Sequence, residues 1–310
     1  MIHTITLNPA LDISGTVDKL VPDEKSYVYD EIQTPGGNGI NAAIIAHRLG
    51  APVSATGFLG GANGDEIKRL LNEEHVPHRF ISISGNTRMN LTVTNSRTHR
   101  QTRLSFPGPR IKSNELKSLI KLVSGFKKTD LVIIGGSLPP GIEASDVSQL
   151  VRLINKKGIS CMVDMPGKIL AQVVSSKPLF IKPNLVEFQE LLGRNVKSIK
   201  SILPLVRKLN NSVPLVCVSS VEGGAILVTK DEAWYGRIPK VKVLSSVGAG
   251  DSMVGAIAAA IEQNRNTSIK DLLQSGLAAS CATLTEEGMV LGSKKSILKY
   301  RPQIYLKEVK

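Results

Sequence analysis

The amino-acid sequence predicts an α/β fold with a mostly parallel central sheet, and three observations carry that prediction. Short apolar runs recur without polar alternation, segments with helical spacing separate them, and two further segments alternate polar and apolar residues with no helix signal. The apolar runs lie at 2–7, 53–59, 131–134, 159–163, 179–181 and 215–218. Strands that are apolar on both faces are buried on both, as in a parallel sheet covered by helices. The helical segments lie at 39–49, 64–74, 113–125, 144–156, 185–192, 198–209 and 252–262. Strand–helix alternation of this kind closes into three layers, α/β/α. Residues 12–34 and 87–106, with Thr92-Val93-Thr94 as an example, read instead as exposed antiparallel strands, a small β-sheet lid on the body. No repeat or linker divides the chain, so a single domain over 1–310 is predicted.

Composition narrows the function classes. The 39 Lys+Arg against 26 Asp+Glu leave a net charge of +13, which favours anionic partners. The cations are dispersed apart from a cluster near the C-terminus (Lys294, Lys295, Lys299, Arg301, Lys307, Lys310) that reads as a solvated helix face or end. No basic stripe interleaved with aromatics occurs, so no nucleic-acid partner is expected. No apolar run reaches the length of a membrane span, and the N-terminal MIHTITLNPALDIS reads as a strand rather than a signal peptide. Cys161, Cys217 and Cys281 form no CxxC pair and read as reduced, packed thiols, consistent with a cytoplasmic setting. The histidines show no metal-ligand spacing.

Four segments carry chemistry. In Val247-Gly248-Ala249-Gly250-Asp251, glycines at a helix start leave N–H groups free for an anion, and the helix dipole adds positive potential. Asp251 there is either an ordinary helix-start charge or a carboxylate placed to take a proton from an attacking hydroxyl. Pro35-Gly36-Gly37-Asn38-Gly39-Ile40-Asn41 is either a tight turn or a backbone that approaches a ligand at Gly37, with Asn38 and Asn41 bonding sugar hydroxyls. In Lys182-Pro183-Asn184-Leu185-Val186-Glu187, Asn184 and Glu187 have capping-box spacing. The functional alternative sends both through water to Mg²⁺ and Lys182 to a phosphate. Gly135-Gly136-Ser137-Leu138-Pro139-Pro140-Gly141 follows a predicted strand, where α/β proteins bind ligands, and also suits an ordinary βα turn. Asp12 suits two sugar hydroxyls, and Arg88 and Arg103 suit a substrate phosphate, unless they are plain surface charges. The sequence has no Walker GxxxxGK[ST] and no protein-kinase motif set.

In this order, Asp12, PGGNGIN at 35–41, Thr87-Arg88-Met89-Asn90-Leu91, GGSLPPG at 135–141, KPNLVE at 182–187 and VGAGDSMVGA at 247–256 resemble the ribokinase/PfkB family of carbohydrate kinases across nearly the whole chain. The opening TLNPALD, the TRMN segment and SLPPG resemble its phosphosugar branch: 1-phosphofructokinase, tagatose-6-phosphate kinase and the minor-type 6-phosphofructokinase. The resemblance implies a ribokinase-like fold whose β lid also makes a homodimer. It implies Asp251 as the base and Gly248, Ala249 and Gly250 as an anion hole. It places Asp12, Lys25, Gly37, Asn38, Asn41, Arg88, Asn90, Arg103 and Ser137 around a sugar phosphate. It places Lys182, Asn184, Glu187, Ser219, Gly224 and the region 282–288 around ATP and Mg²⁺.

Three positions depart from the pattern. Val221 stands where the family often has glycine, and Thr285 where minor-type 6-phosphofructokinases often have asparagine. Asn38 replaces a lysine or a glycine of its relatives, which leaves the sugar open. The activity implied is ATP-dependent phosphorylation of a ketohexose monophosphate to the 1,6-bisphosphate. The rivals are a kinase of an unphosphorylated sugar or nucleoside, and a non-catalytic sugar-phosphate sensor.

Overall fold

The computed structural model describes residues 1–310. Fourteen strands and ten α-helices follow one another as β1 (Ile2–Thr6), β2 (Ala10–Val17), β3 (Tyr29–Gly36), α1 (Asn38–Arg48), β4 (Val53–Leu59), α2 (Gly61–Glu73), β5 (His78–Ser82), β6 (Arg88–Asn95), β7 (Gln101–Ser105), α3 (Ser113–Ser124), β8 (Leu131–Gly135), α4 (Ala144–Lys156), β9 (Ser160–Asp164), α5 (Gly167–Val173), β10 (Phe180–Ile181), α6 (Leu185–Leu192), α7 (Ile199–Leu209), β11 (Leu215–Val221), β12 (Gly224–Val228), β13 (Ala233–Arg237), α8 (Ala249–Gln263), α9 (Ile269–Leu284), α10 (Lys294–Tyr300) and β14 (Tyr305–Glu308).

The large sheet has the order β14-β13-β12-β11-β10-β9-β8-β1-β4-β5. From β5 to β11 every neighbouring pair is parallel. Side chains alternate across such strands, so each apolar run feeds two cores. Ile2, Leu131 and Ile133 join α1, α8 and α9 on one face, while Ile5, Val132 and Ile134 join α3, α4 and α7 on the other. This is the three-layer arrangement the apolar runs predict.

The strands beyond β11 are antiparallel, which the short runs do not announce. The helices α5, α9 and α10 are likewise additional to the predicted set. Ser198 and Ser268 cap α7 and α9, each side chain accepting from the backbone N–H three residues on.

The small sheet, β3-β2-β6-β7, corrects one expectation. The segments 12–34 and 87–106 do form strands, but β2 and β6 pair in parallel from Ala10↔Arg88 to Val17↔Asn95. Alternation assigns faces and is silent on direction, so an all-antiparallel lid was not required by the pattern. Asp12 sits inside β2, the strand that follows β1. The exposed lysines 294, 295 and 299 lie on α10, and Lys307 on β14. No helix is long and apolar enough to cross a membrane.

Candidate active site

Strand order reverses between β1 and β8, and open α/β sheets bind ligands outside the carboxyl ends at such a point. A cleft of about 220 Å³ lies there, lined by Asn8, Asn38, Arg88, Ser137, Asp164 and Glu187 among others. Asn8 follows β1, Ser137 follows β8 and Asp164 ends β9.

Asp251 lies in the first turn of α8, which begins at Ala249, three residues before the predicted start at 252. Gly248 caps that helix at φ 76°, where a Cβ would come within 2.6 Å of the Leu291 side chain. The N–H groups of the first helical turn have no intrahelical partners, and such helix starts suit anions. The turn is braced from behind: Ser280 Oγ donates to the Ala249 carbonyl at 2.7 Å, and the buried Ser252 and Thr283 hydroxyls bond at 2.7 Å.

Asn41 on α1 donates to Asp251 Oδ2 at 2.7 Å. Burial pushes the Asp251 carboxyl up to about 6 and the nearby Asp164 charge adds to this, while the Asn41 bond and the Lys182 ammonium oppose it. A carboxyl tuned to that range is ionised at neutral pH yet basic enough to accept a hydroxyl proton. Gly37, at φ 117°, packs against Thr6 where a Cβ would lie 2.6 Å from its methyl, and so brings α1 close to β1.

Asp12 is buried, and Asn90 donates to its Oδ1 at 2.6 Å across the β2–β6 pair. Burial raises the Asp12 pKa against the opposing Asn90 bond and the charges of Arg103 and Arg88. Arg88 opens β6 and donates to the main-chain oxygens of Asn8 and Phe106.

On the other side Lys182 is buried and pairs with Asp164 at 3.2 Å. Burial works against the ammonium, but Asp164, Glu187 and Asp251 outweigh it and raise its pKa. The Lys182 Nζ also lies 3.1 Å from where a Cβ on Gly250 would be, so this ammonium stands beside the α8 turn. Asn184 and Glu187 form the capping box: Asn184 N–H donates to Glu187 Oε2 at 2.8 Å and Glu187 N–H to Asn184 Oδ1 at 3.0 Å. Capping and ligation are compatible, because Glu187 also lines the cleft with its second carboxylate oxygen uncommitted.

The sequence matches the pfkB family carbohydrate kinases over residues 6–295. This chain belongs to that family. It is 32% identical to the ATP-dependent 6-phosphofructokinase isozyme 2 of Escherichia coli, over 94% of this chain and 95% of that one. It is 35% identical to a tagatose-6-phosphate kinase of Staphylococcus epidermidis, over 84% and 85%. The crystal structure of Escherichia coli phosphofructokinase-2 with substrates and products superposes with a TM-score of 0.92, at 31% identity over 97% and 98%.

Within this pfkB-family chain the remaining sequence candidates separate. Arg103 is exposed on β7 and reaches the cleft through its charge on Asp12. Lys25 is exposed in the β2–β3 connection, with no hydrogen bond or ion pair to the cleft. Ser219 lies on β11, bridges to Asn184 and donates its N–H to the Pro183 carbonyl. Gly224 has a packing reason of its own: a Cβ would lie 2.0 Å from the Gly236 carbonyl oxygen. The region 282–288 runs from the end of α9 into a turn with Gly288 at φ 60°.

Sequence reasoning missed Asp164 and passed over Asn8 as part of a motif. Asp164 ends an apolar run at a strand's carboxyl end, and that location alone marks it as a site candidate.

Proposed function

We propose that this chain transfers the γ-phosphoryl group of ATP to a hydroxyl of a ketohexose monophosphate, giving a 1,6-bisphosphate, with Asp251 as the general base. The observation that carries the reading is the 2.7 Å bond from Asn41 to Asp251. It ties the helix beside the acceptor residues to the anion-binding turn of α8, at a carboxylate held near its working pKa.

Asp251 takes the acceptor proton. Asp12 and Asn41 orient sugar hydroxyls, and Arg88, Arg103 and Ser137 hold the substrate phosphate. The Gly248–Gly250 turn and Lys182 stabilise charge on the moving phosphoryl group, so catalysis rests on positioning and electrostatics. The small sheet acts as a lid that keeps water from competing as acceptor.

The residues present fit Mg²⁺. Glu187 and Asp164 are hard oxygen donors on one cleft, and Mg²⁺ in such sites takes one or two carboxylates and keeps several waters. Glu187 and Asn184, both through water, would hold the ion, which would neutralise phosphate charge.

The β3 edge of the lid and the segment leading into it expose Tyr27, Val28, Tyr29 and Ile32, apolar residues that suit a homodimer contact. The buried, unpaired cysteines suit a cytoplasmic setting.

A coupled ADP-release assay with fructose 6-phosphate, tagatose 6-phosphate and fructose 1-phosphate tests the reading. At least one should give MgATP-dependent turnover. Silence across the panel would leave a non-catalytic sensor, and turnover only with free sugars would leave the unphosphorylated-sugar kinase.

A further inference from the structure

We propose that Asn8 is a positioning residue that builds the phosphate-binding end of the acceptor cleft, setting Ser137 as a hydrogen-bond donor and Arg88 as an outward fork. This rests on the acceptor reading given above.

Asn8 is 5% exposed and lines the cleft. Its Nδ2 donates to the Pro107 carbonyl at 3.0 Å and to Ser137 Oγ at 3.2 Å, with the Leu138 carbonyl at 3.5 Å. Its main-chain carbonyl accepts from Arg88 Nη2 at 3.0 Å and Nε at 3.3 Å. One residue therefore touches the loop after β8, the first residue of β6 and the chain leaving β7.

The direction of these bonds decides the chemistry. A serine hydroxyl has one proton and two lone pairs. Ser137 Oγ spends a lone pair on Asn8 and has no other partner, so its proton is left for a ligand oxygen. Arg88 has five N–H donors. Asn8 takes two of them and the Phe106 carbonyl takes one from Nη1 at 2.9 Å, which leaves one on each terminal nitrogen. One N–H on each terminal nitrogen and a hydroxyl proton suit a phosphate monoester.

The residue must be a carboxamide. Aspartate would face the Pro107 and Leu138 carbonyls with oxygens and place a negative charge beside an anion site. The amide orientation is also fixed, because Nδ2 faces three acceptors and Oδ1 packs against Gly108, where a Cβ would lie 2.3 Å away. Gly108 has φ 91°, so the chain after β7 is shaped to this side chain.

Calorimetric titration of the three ketohexose phosphates and of MgATP into wild type, Asn8→Ala, Ser137→Ala and the double variant tests this. Asn8→Ala should weaken phosphosugar binding about tenfold or more, as expected for lost bonds to a charged ligand. MgATP binding should stay within about twofold, whereas general damage to the fold would move both. Ser137→Ala should cost much less in the Asn8→Ala background than in wild type, the non-additivity of groups that act together. Asn8→Asp, isosteric but without the donors, should reproduce the loss and stands in if the alanine variant does not fold. Unchanged phosphosugar affinity, parallel loss of MgATP affinity, or additive losses would each overturn the role of Asn8. Absence of phosphosugar binding in wild type would instead overturn the acceptor reading.

Discussion

The two ends of the cleft are built differently. At the end proposed for the acceptor, Asp12, Asn90 and Arg88 come from the small sheet, Asn41 from α1 and Ser137 from the loop after β8. Bonds between distant segments hold them, such as Asn90 to Asp12 and Asn41 to Asp251. At the end proposed for the phosphoryl donor, Asp164, Lys182, Asn184 and Ser219 lie at or near the ends of successive strands of one sheet. A local capping box and one buried ion pair hold them. The donor end is thus preformed by the large sheet. The acceptor end exists only while two sheets keep their relation, so damage should spread across it and stay local at the donor end.

The largest effect should come from the residue the two ends share. Asp251→Asn should lower kcat by about 10²–10⁴-fold while leaving both substrates bound, read by steady-state kinetics and calorimetry. Near-normal turnover would remove Asp251 as the base and dissolve the link between the ends.

Lys182→Met should destabilise the protein by about 3–5 kcal/mol in urea unfolding, since Asp164 would be left as a buried, unpaired charge. A much smaller loss would mean that water reaches Asp164 and that the donor end is not locked by this pair.

Arg88→Ala should raise KM for the phosphosugar about 10–100-fold, the range for hydrogen bonds to a charged group, and leave KM for MgATP unchanged. A rise in both would show the ends coupled through the small sheet.

With pH, activity should fall as acid protonates Asp251, whose carboxyl titrates at about 6. The sign follows from the role: the base works ionised, so the rate is flat above that value and declines below it. The substrate phosphate also titrates near 6. The residual rate of Asp251→Asn separates the two, and a limb that survives unchanged in that variant would assign it to the phosphate.

The smallest effect on the fold should be that of Glu187→Gln. Glutamine still completes the capping box, so stability should stay within about 0.5 kcal/mol. The Mg²⁺ concentration for half-maximal rate should rise, and an unchanged requirement would confine Glu187 to capping.

Much of this was legible in the sequence, for physical reasons. Strands buried on both faces must be continuously apolar, so the parallel body was visible at 2–7, 53–59 and 131–134. Helix starts at glycine-rich turns drew attention to Asn41 and Asp251, which the structure joins. The parallel register of β2 on β6 was hidden, because alternation reports faces and not direction. The Asp164–Lys182 pair was hidden because its partners are brought together by adjacent strands and not by any local pattern. Gly224 shows a constraint that the sequence leaves invisible, since the neighbouring strand alone already requires a glycine there.

The parallel pairing of β2 with β6 also bears on how the protein folds. A tight turn can join only antiparallel strands, and here residues Asp12 and Asn90 meet across 78 positions of chain. The small sheet has no local route to form at its centre. It must wait until β1, β4 and β5 have docked and delivered both segments to the same edge, a closure with a high entropic cost before any contact rewards it. The acceptor site is therefore expected to be among the last parts of the molecule to assemble, and a nascent chain should hold its donor end before it can hold a sugar.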